Sequence, residues 1–460
     1  MSKVADLSGL KLKPTQVKTD PESLKYYGKD WTTYFDIKPS AIVFPESTED
    51  VVTIVKWAVS TKTSLVPSGG RTGLSGGACA LNQEVVVSFE RMNKFSNFNA
   101  LDMTVTCEAG VVTEELQKYA HEKGLFYPVD FAARGSSQVG GNVATNAGGI
   151  KVLRYGLTRQ YVGSLKVVTG TGEVLELNRS LIKNATGYDL RQLFIGSEGT
   201  LGFITEITFH LLPAPPPYQV ILVALPELDS VMKVFDLFRG KLNLTAFEMF
   251  SELALQKVME KTSLPHPFSS PSPFYVVMEM EANAGSEEKI LEVFTAAVEA
   301  GYIADGHLSQ SETQAKTFWR YREDISESLA SFSPYKNDIS VKISDVPAFM
   351  GKLDQILRSN YPTWEVVWFG HIGDGNLHIN ILRPENLTKD SFVQECRKVD
   401  QLIFQLIKDF EGSISAEHGV GLTKKSFLSF SRSTAEISYM RQIKKIFDPM
   451  GIVNPGKIFD

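Results

Sequence analysis

The sequence predicts an α+β protein with two main domains, and three observations support this fold class. The chain has 460 residues, which is long enough for two or three domains with separate cores. Residues 67–202 hold 20 of the 35 glycines, whereas residues 203–369 hold only five. Near the start of the glycine-poor stretch lies the proline cluster 213–217, which neither a helix nor a central strand accommodates. We therefore expect a glycine-rich domain followed by a glycine-poor α+β domain.

The apolar pattern predicts the elements of the first part of the chain in order. Residues 1–40 form a lead-in, and residues 41–215 form the first domain. An amphipathic helix begins at Glu49 and turns one apolar face inward, and a second helix spans 112–123. Gly170-Thr171-Gly172 predicts a hairpin. The expected strands are 41–44, 64–67, 84–89, 103–107, 162–169, 173–177 and 201–211.

A β-α-β alternation with little glycine predicts a second domain over residues 216–430, an α+β substrate domain with an antiparallel sheet. A last segment, 431–460, contains a helix over 435–447 and is expected to return to the first domain. The other elements expected in the second domain are strands 220–225 and 274–279 and helices 229–239 and 287–300.

Charge and composition exclude several classes of function. The net charge of −6 comes without any basic block, so nucleic-acid binding has no electrostatic support. No apolar run approaches the roughly 20 residues of a membrane span. The cysteines Cys79, Cys107 and Cys396 are widely spaced and form no CxxC, and residues 1–6 lack an apolar signal core. These features predict a cytoplasmic protein with reduced thiols.

Glycines and small hydrogen-bond donors recur in three segments before the proline cluster: 67–77, 134–149 and 184–202. Glycine permits positive φ and lets a ligand approach the backbone, and successive N–H groups form an anion-binding nest. One such segment alone is most often a chain of tight turns, and neither a Walker pattern nor GxGxxG is present. Three together predict a groove for an extended, phosphate-bearing cofactor.

Two histidines occur in the segment 366–381, which reads as strand, turn and strand. With Gly373–Asn376 as the turn, His371 is expected opposite His378, and Asn380 lies on the same face as His378. A buried histidine is more often a core residue, but Glu417 and His418 add a carboxylate and an imidazole in a glycine-bordered loop.

Two imidazoles and a carboxylate suit Zn²⁺ or Mn²⁺ with an open position, which a 2-hydroxy acid can chelate. We assign His371, His378 and Glu417 as metal ligands and His418 as the base, with the roles of Glu417 and His418 exchangeable.

The three glycine-rich segments resemble the FAD-binding domain of the vanillyl-alcohol oxidase and p-cresol methylhydroxylase superfamily. The resemblance implies a FAD-binding domain of two subdomains, with the pyrophosphate on the first loop. That loop lacks the histidine to which some members attach flavin, so FAD is expected to be non-covalent. The implied FAD contacts are Pro67, Ser68, Gly69, Gly70, Arg71, Thr72, Gly73, Leu74, Ser137, Gly140, Gly141, Asn142, Thr145, Gly148, Gly202, Ile204 and Asn454.

The two histidine motifs, His371–His378 and Ser415–Gly419, resemble the C-terminal domain of FAD-linked oxidases. Within it the chain is most similar to the D-2-hydroxyglutarate dehydrogenase group, and D-lactate and glycolate dehydrogenases share both motifs. From composition, Arg322 and Ser326 look like part of an ordinary charged helix. The resemblance instead implies that Arg322, Ser326 and Lys336 bind the second substrate carboxylate. Asn380, on the face of His378, is a further candidate for substrate binding.

The expected activity is FAD- and metal-dependent oxidation of D-2-hydroxyglutarate to 2-oxoglutarate, with D-malate as a further substrate. The alternatives are a D-lactate or glycolate dehydrogenase and, in another class, a non-catalytic flavin-binding subunit. No nicotinamide fingerprint is visible, so the electron acceptor is expected to be a protein such as an electron-transfer flavoprotein, or a quinone. A homodimer is a further expectation.

Overall fold

The computed structural model describes residues 7–32, 34–283 and 285–460. The first six residues, on which the compartment prediction partly depends, lie outside the described part. The chain forms two compact units. Unit 1 comprises the described residues of Met1–Gly149, Leu157–Ala214 and Glu417–Asp460, and unit 2 comprises those of Ile150–Gly156 and Pro215–Ala416. The last change of unit falls after Ala416, whereas the sequence suggested residue 430.

Strands of both units contribute to sheets. In chain order they are β1 Val17–Lys18, β2 Ala41–Val43, β3 Leu65–Ser68, β4 Val85–Ser88, β5 Phe95–Asn99, β6 Thr104–Glu108, β7 Leu125–Phe126, β8 Val162–Thr169, β9 Val174–Leu177, β10 Gly202–His210, β11 Leu212–Pro213, β12 Tyr218–Leu225, β13 Leu244–Ser251, β14 Phe274–Glu281, β15 Asp305–Leu308, β16 Tyr335–Ser340, β17 Val366–Gly370 and β18 Asn376–Ile381.

The helices follow the apolar periodicity of the sequence. In chain order they are α1 Pro21–Tyr27, α2 Thr48–Thr61, α3 Thr113–Glu122, α4 Val139–Thr145, α5 Val152–Tyr155, α6 Arg191–Phe194, α7 Leu228–Arg239, α8 Glu252–Thr262, α9 Ser286–Glu299, α10 Glu312–Glu323, α11 Ile325–Ser328, α12 Val346–Asn360, α13 Lys389–Asp409 and α14 Thr434–Phe447. In α2 the Ser47 side chain accepts a hydrogen bond from the Asp50 N–H, a cap that fixes where the helix begins.

Unit 1 contains two sheets of different character. One has the order β1-β2-β4-β3, in which β4 runs parallel to both β2 and β3. The other is antiparallel, with the order β5-β6-β10-β8-β9. The final segment also belongs to this unit, since Leu65 of β3 donates its N–H to the Ile452 carbonyl oxygen and accepts from the Asn454 N–H, both at 2.7 Å.

Unit 2 is built on one antiparallel sheet with the order β15-β12-β14-β13-β17-β18-β16. On one face, Phe250 and Val277 pack in a core with Phe318 and Tyr321 of α10. The short segment Ile150–Gly156 belongs to this unit: Lys151 pairs with Glu279 at 3.0 Å, and Arg154 pairs with Glu281 at 3.1 Å. The predicted α+β class and antiparallel sheet are therefore confirmed.

Within the described ranges, no helix combines the length and the apolar character needed to cross a membrane. Cys79, Cys107 and Cys396 are all buried and none is in a disulfide.

Candidate functional site

The three glycine-rich segments of unit 1 meet at one cavity. The predicted residues on its wall are Pro67, Ser68, Gly69, Gly70, Arg71, Thr72, Gly73, Gly140, Gly141, Asn142, Thr145, Gly202, Ile204 and His418. The three segments lie in the loop after β3, in the helix α4 and at the start of β10, respectively. The structure thus assembles residues that lie far apart in the sequence, including the residue predicted to be the base.

Close backbone contacts explain why glycine occupies several of these positions. A Cβ on Gly70 would overlap the carbonyl oxygen of Ser136, and a Cβ on Gly140 would lie 2.6 Å from the Cβ of Ala109. Arg71 has a positive φ of 59°. Its guanidinium lies 4.4 Å from the ring centre of Tyr26 and 4.7 Å from that of Tyr27, a cation–π arrangement that holds the loop against α1.

The cavity fits a long cofactor with many acceptors and donors. Among the described side chains, Ser68 Oγ, Gln138 Oε1 and Asp30 Oδ2 are buried polar atoms without a hydrogen-bond partner. All three residues line the cavity. Because native proteins rarely leave buried polar atoms unpaired, these atoms point to a ligand that supplies hydrogen bonds.

Four predicted cofactor residues do not line the cavity: Leu74, Ser137, Gly148 and Asn454. The Ser137 hydroxyl is hydrogen-bonded to Thr113 Oγ1 at 2.7 Å. Asn454 is buried and has a positive φ of 43°. Its Nδ2 donates to the carbonyl oxygens of Gly77 at 3.0 Å and Glu198 at 2.8 Å, so Asn454 supports the wall from behind.

Other wall residues were not assigned to the cofactor from the sequence. They are Asp30, Ser75, Gly77, Ala78, Phe89, Ala109, Gln138, Ala144, Glu198, Gly199 and Phe203. Glu198 lies inside a glycine-rich segment, which was a usable signal. Asp30 lies in the lead-in, where nothing in the sequence marks it.

Glu198 lies partly buried on the cavity wall and contacts the loop that follows His418. The N–H groups of Val420 and Gly421 donate to its Oε1 and Oε2, each at 2.7 Å. Burial raises the pKa of the Glu198 carboxyl, and these two N–H groups act in the opposite direction.

In unit 2, one face of the sheet carries the predicted polar residues. Asp338 of β16 pairs in register with His378 of β18, and Lys336 pairs with Asn380. These four side chains share a face because they lie at alternate positions of neighbouring strands. The His371 and His378 rings lie 5.3 Å apart between centres, at an angle of 81°.

The register predicted for this hairpin is wrong. Phe369, and not His371, lies opposite His378, because Ile372–Asp374 form a 3-10 turn and β17 ends at Gly370. The shift amounts to two residues, and a shift of two leaves a side chain on the same face of the sheet. The two imidazoles therefore remain neighbours.

Glu248 of β13 joins His371 to Arg322. His371 Nδ1 lies 2.7 Å from Glu248 Oε1, and Arg322 Nη2 lies 2.8 Å from Glu248 Oε2. The side chains of Arg322 and Glu248 are 7% and 1% exposed. The guanidinium also lies 4.8 Å from the ring centre of Phe369. The sequence did not single out Glu248.

The helix predicted through Arg322 and Ser326 is divided. α10 ends at Glu323 and α11 begins at Ile325, and Arg322 is buried whereas Ser326 is exposed. Lys336 is exposed and has no ion-pair or hydrogen-bond partner in the described part of the chain. Protein atoms around its ammonium group disfavour the charge and lower its pKa.

Glu417 is the first residue of the unit 1 segment that carries His418, and it directly follows Ala416 of unit 2. The Ala416 N–H donates to the carbonyl oxygen of Asp338 at 3.4 Å.

Two protein families match the chain. Residues 39–178 match the family described as FAD binding domain, and residues 214–458 match the one described as FAD linked oxidases, C-terminal domain.

Curated relatives extend over nearly the whole chain. D-2-hydroxyglutarate dehydrogenase from Stutzerimonas stutzeri (strain A1501) is 55% identical, over 97% of this chain and 97% of its own. D-2-hydroxyglutarate dehydrogenase from Xanthomonas citri pv. viticola is 52% identical, over 97% and 94%. The mitochondrial D-2-hydroxyglutarate dehydrogenase of Rattus norvegicus is 35% identical, over 96% and 82%.

Solved structures share the fold at low identity. p-Cresol methylhydroxylase with bound substrate has a TM-score of 0.79 at 14% identity, covering 97% of this chain and 94% of its own. 4-Ethylphenol oxidase from Gulosibacter chungangensis has a TM-score of 0.76 at 17% identity, with the same coverage. The predicted fold of the vanillyl-alcohol oxidase type is thus confirmed.

Proposed function

Because the chain belongs to the FAD-linked oxidases and is an FAD-dependent 2-hydroxy acid dehydrogenase, we propose that it oxidises D-2-hydroxyglutarate to 2-oxoglutarate. The observation that carries the proposed chemistry is that His418 lies on the wall of the cavity that fits FAD. The choice of acid is supported by relatives that carry this name over nearly their full length.

A metal site at His371, His378 and Glu417 is part of this proposal. Glu248 Oε1 lies 2.7 Å from Nδ1 of His371. A carboxylate on one ring nitrogen is common among histidines that bind a metal through the other nitrogen. Glu417 is within one peptide bond, about 3.8 Å between Cα atoms, of Ala416. Ala416 in turn is hydrogen-bonded to Asp338, the strand partner of His378. The donor set suits Zn²⁺, with Mn²⁺ as the alternative.

Lys336 is our main candidate for the second substrate carboxylate. Its ammonium group has no partner within the described chain and shares a sheet face with Asn380. Arg322 forms an ion pair with Glu248 through Nη2, while its Nε is buried without a partner among the described groups. We therefore assign Arg322 a supporting part, and Ser326 stays a prediction from the resemblance. D-malate, which keeps both carboxylates, is proposed as a second substrate.

The residues divide the chemical work as follows. Bound FAD supplies the hydride acceptor, and a divalent metal supplies Lewis acidity toward the substrate hydroxyl. His418 takes the proton of that hydroxyl as general base. Lys336 and Asn380 bind the acid and fix its orientation. Glu417 and His418 are adjacent, and an exchange of their roles is the alternative.

The onward electron acceptor is proposed to be a protein such as an electron-transfer flavoprotein, or a quinone, because the sequence contains no nicotinamide fingerprint. The buried, unpaired cysteines are in keeping with a reducing compartment such as the cytoplasm. A homodimer stays a prediction.

The test is a dye-linked assay of the purified flavoprotein with D-2-hydroxyglutarate, D-malate, D-lactate and glycolate. We expect kcat/KM to be highest for D-2-hydroxyglutarate. Turnover of D-lactate or glycolate alone would replace the substrate with that of a sister group, and no turnover of any acid would favour a non-catalytic flavin-binding subunit. Treatment with a chelator, followed by re-addition of Zn²⁺ or Mn²⁺, tests the metal; full activity without metal would contradict it.

A further inference from the structure

We propose that Glu198 is a positioning residue for His418, because its carboxylate fixes the loop that carries this base against the flavin cavity. The inference rests on the proposed role of His418. Neither the motifs of the sequence nor the names of the relatives assign a role to Glu198.

Both carboxylate oxygens of Glu198 are occupied by backbone groups of the loop. The Val420 N–H donates to Oε1 and the Gly421 N–H to Oε2, each at 2.7 Å. Two adjacent N–H donors need two acceptors at fixed spacing, which a carboxylate provides. A glutamine side chain offers only one acceptor, and its amide group would face an N–H donor.

Glu198 itself is held from two sides. Its N–H donates to the Ala144 carbonyl oxygen at 2.7 Å, and its own carbonyl oxygen accepts from Asn454 Nδ2 at 2.8 Å. Its φ is +52°, a conformation uncommon outside glycine, which these contacts stabilise. The backbone of Glu198 is therefore held by contacts that do not involve the loop after His418.

The loop fits Glu198 closely. Gly419, the residue after His418, has a φ of +78°, and a Cβ there would lie 2.9 Å from the Glu198 carboxyl group. Beyond it, the Leu422 N–H donates to the Ser75 carbonyl oxygen at 2.8 Å. His418 is thus followed at once by a segment that is hydrogen-bonded to Glu198 and Ser75, and both Glu198 and His418 line the same cavity.

The test is anaerobic stopped-flow reduction of the purified flavoprotein by D-2-hydroxyglutarate. A displaced base is expected to slow the chemical step, so Glu198→Gln should lower the limiting rate of flavin reduction about 10- to 100-fold. FAD content and the Kd for substrate should stay within about threefold of wild type. Hydrogen exchange of residues 417–423, followed by mass spectrometry, should become faster. The matched control is Glu206→Gln on β10, which removes an ion pair with Lys166 of β8 and should leave the rate unchanged.

A wild-type reduction rate and wild-type hydrogen exchange in Glu198→Gln would overturn the inference. If that variant is purified without FAD, Gly419→Ala tests the same contact from the loop side and should lower the rate in the same way; a wild-type rate there would also overturn it. His418→Gln separates the two proposals. If His418→Gln loses activity while Glu198→Gln keeps it, only the role of Glu198 fails, whereas full activity of His418→Gln refutes the proposed function itself.

Discussion

Glu248 offers the sharpest test of the arrangement in unit 2, because one buried carboxylate serves two partners. In Glu248→Gln, the remaining amide oxygen still accepts from His371 Nδ1. The new amide group, however, replaces Oε2, which lies 2.8 Å from Arg322 Nη2, so a donor faces a donor. The variant thus leaves the guanidinium buried without its counter-charge.

The size of the effect follows from this burial. Breaking a buried ion pair by removing one partner costs about 3–5 kcal/mol, and the pair here is 7% and 1% exposed. The amide keeps the hydrogen bond to His371 but removes the negative charge that raises the basicity of a metal-binding histidine, and mutation of such a partner lowers metal affinity by about 10- to 100-fold. We expect Glu248→Gln to lower the free energy of unfolding by about 3–5 kcal/mol and to weaken Zn²⁺ binding by about this factor.

Denaturant unfolding of the flavoprotein measures the first quantity, and titration of the metal-free protein with Zn²⁺ against a competing chelator measures the second. The exposed Glu227 provides the control, since Glu227→Gln should change stability by less than about 0.5 kcal/mol. If Glu248→Gln has the stability and the Zn²⁺ affinity of wild type, Glu248 neither stabilises unit 2 through Arg322 nor supports metal binding through His371.

Three further predictions concern separate parts of the chain. Lys336→Met should raise KM for D-2-hydroxyglutarate about 10- to 100-fold and leave D-lactate kinetics nearly unchanged; equal losses for both acids would remove Lys336 from the carboxylate site. Burial raises the pKa of Asp400 from 3.8 to about 6, so the folded state loses stability as pH rises from about 4 through 6. The free energy of unfolding of Asp400→Asn should therefore exceed that of wild type by about 1–3 kcal/mol at pH 7.5 and not at pH 4. A difference that is the same at both pH values would contradict this. Gly70→Ala should abolish FAD binding, read as loss of flavin absorbance, because its Cβ overlaps the Ser136 carbonyl oxygen, whereas Gly351→Ala, with open space around it, should keep the flavin.

The sequence predicts the architecture well wherever a local pattern decides it. The helix after Ser47, the hairpin at Gly170–Gly172 and the strands on both sides of the proline cluster all depend on nearby residues. The register of the 366–381 hairpin was predicted two residues away, because several loop lengths suit a turn rich in glycine and asparagine. The predicted proximity of the two histidines was still correct, because a register shift of two residues leaves a side chain on the same face.

The long-range partners were beyond a single sequence. Glu248 and His371 are 123 positions apart, and Glu198 and Gly421 are 223 positions apart. No local pattern shows which distant loop or side chain such a glutamate contacts. Asp30 also reaches the cavity wall through a contact between distant residues. The Trp31 N–H donates to the Gly73 carbonyl oxygen, which places the lead-in beside the first glycine-rich loop.

The most direct test of the central claim is the flavin spectrum of the purified protein under anaerobic conditions. Addition of D-2-hydroxyglutarate should bleach the FAD bands of the wild-type protein within seconds and yield one 2-oxoglutarate for each flavin reduced, while His418→Gln should keep its oxidised spectrum. A wild-type spectrum that D-2-hydroxyglutarate leaves unchanged, or equal bleaching of the His418→Gln protein, would contradict the proposed function.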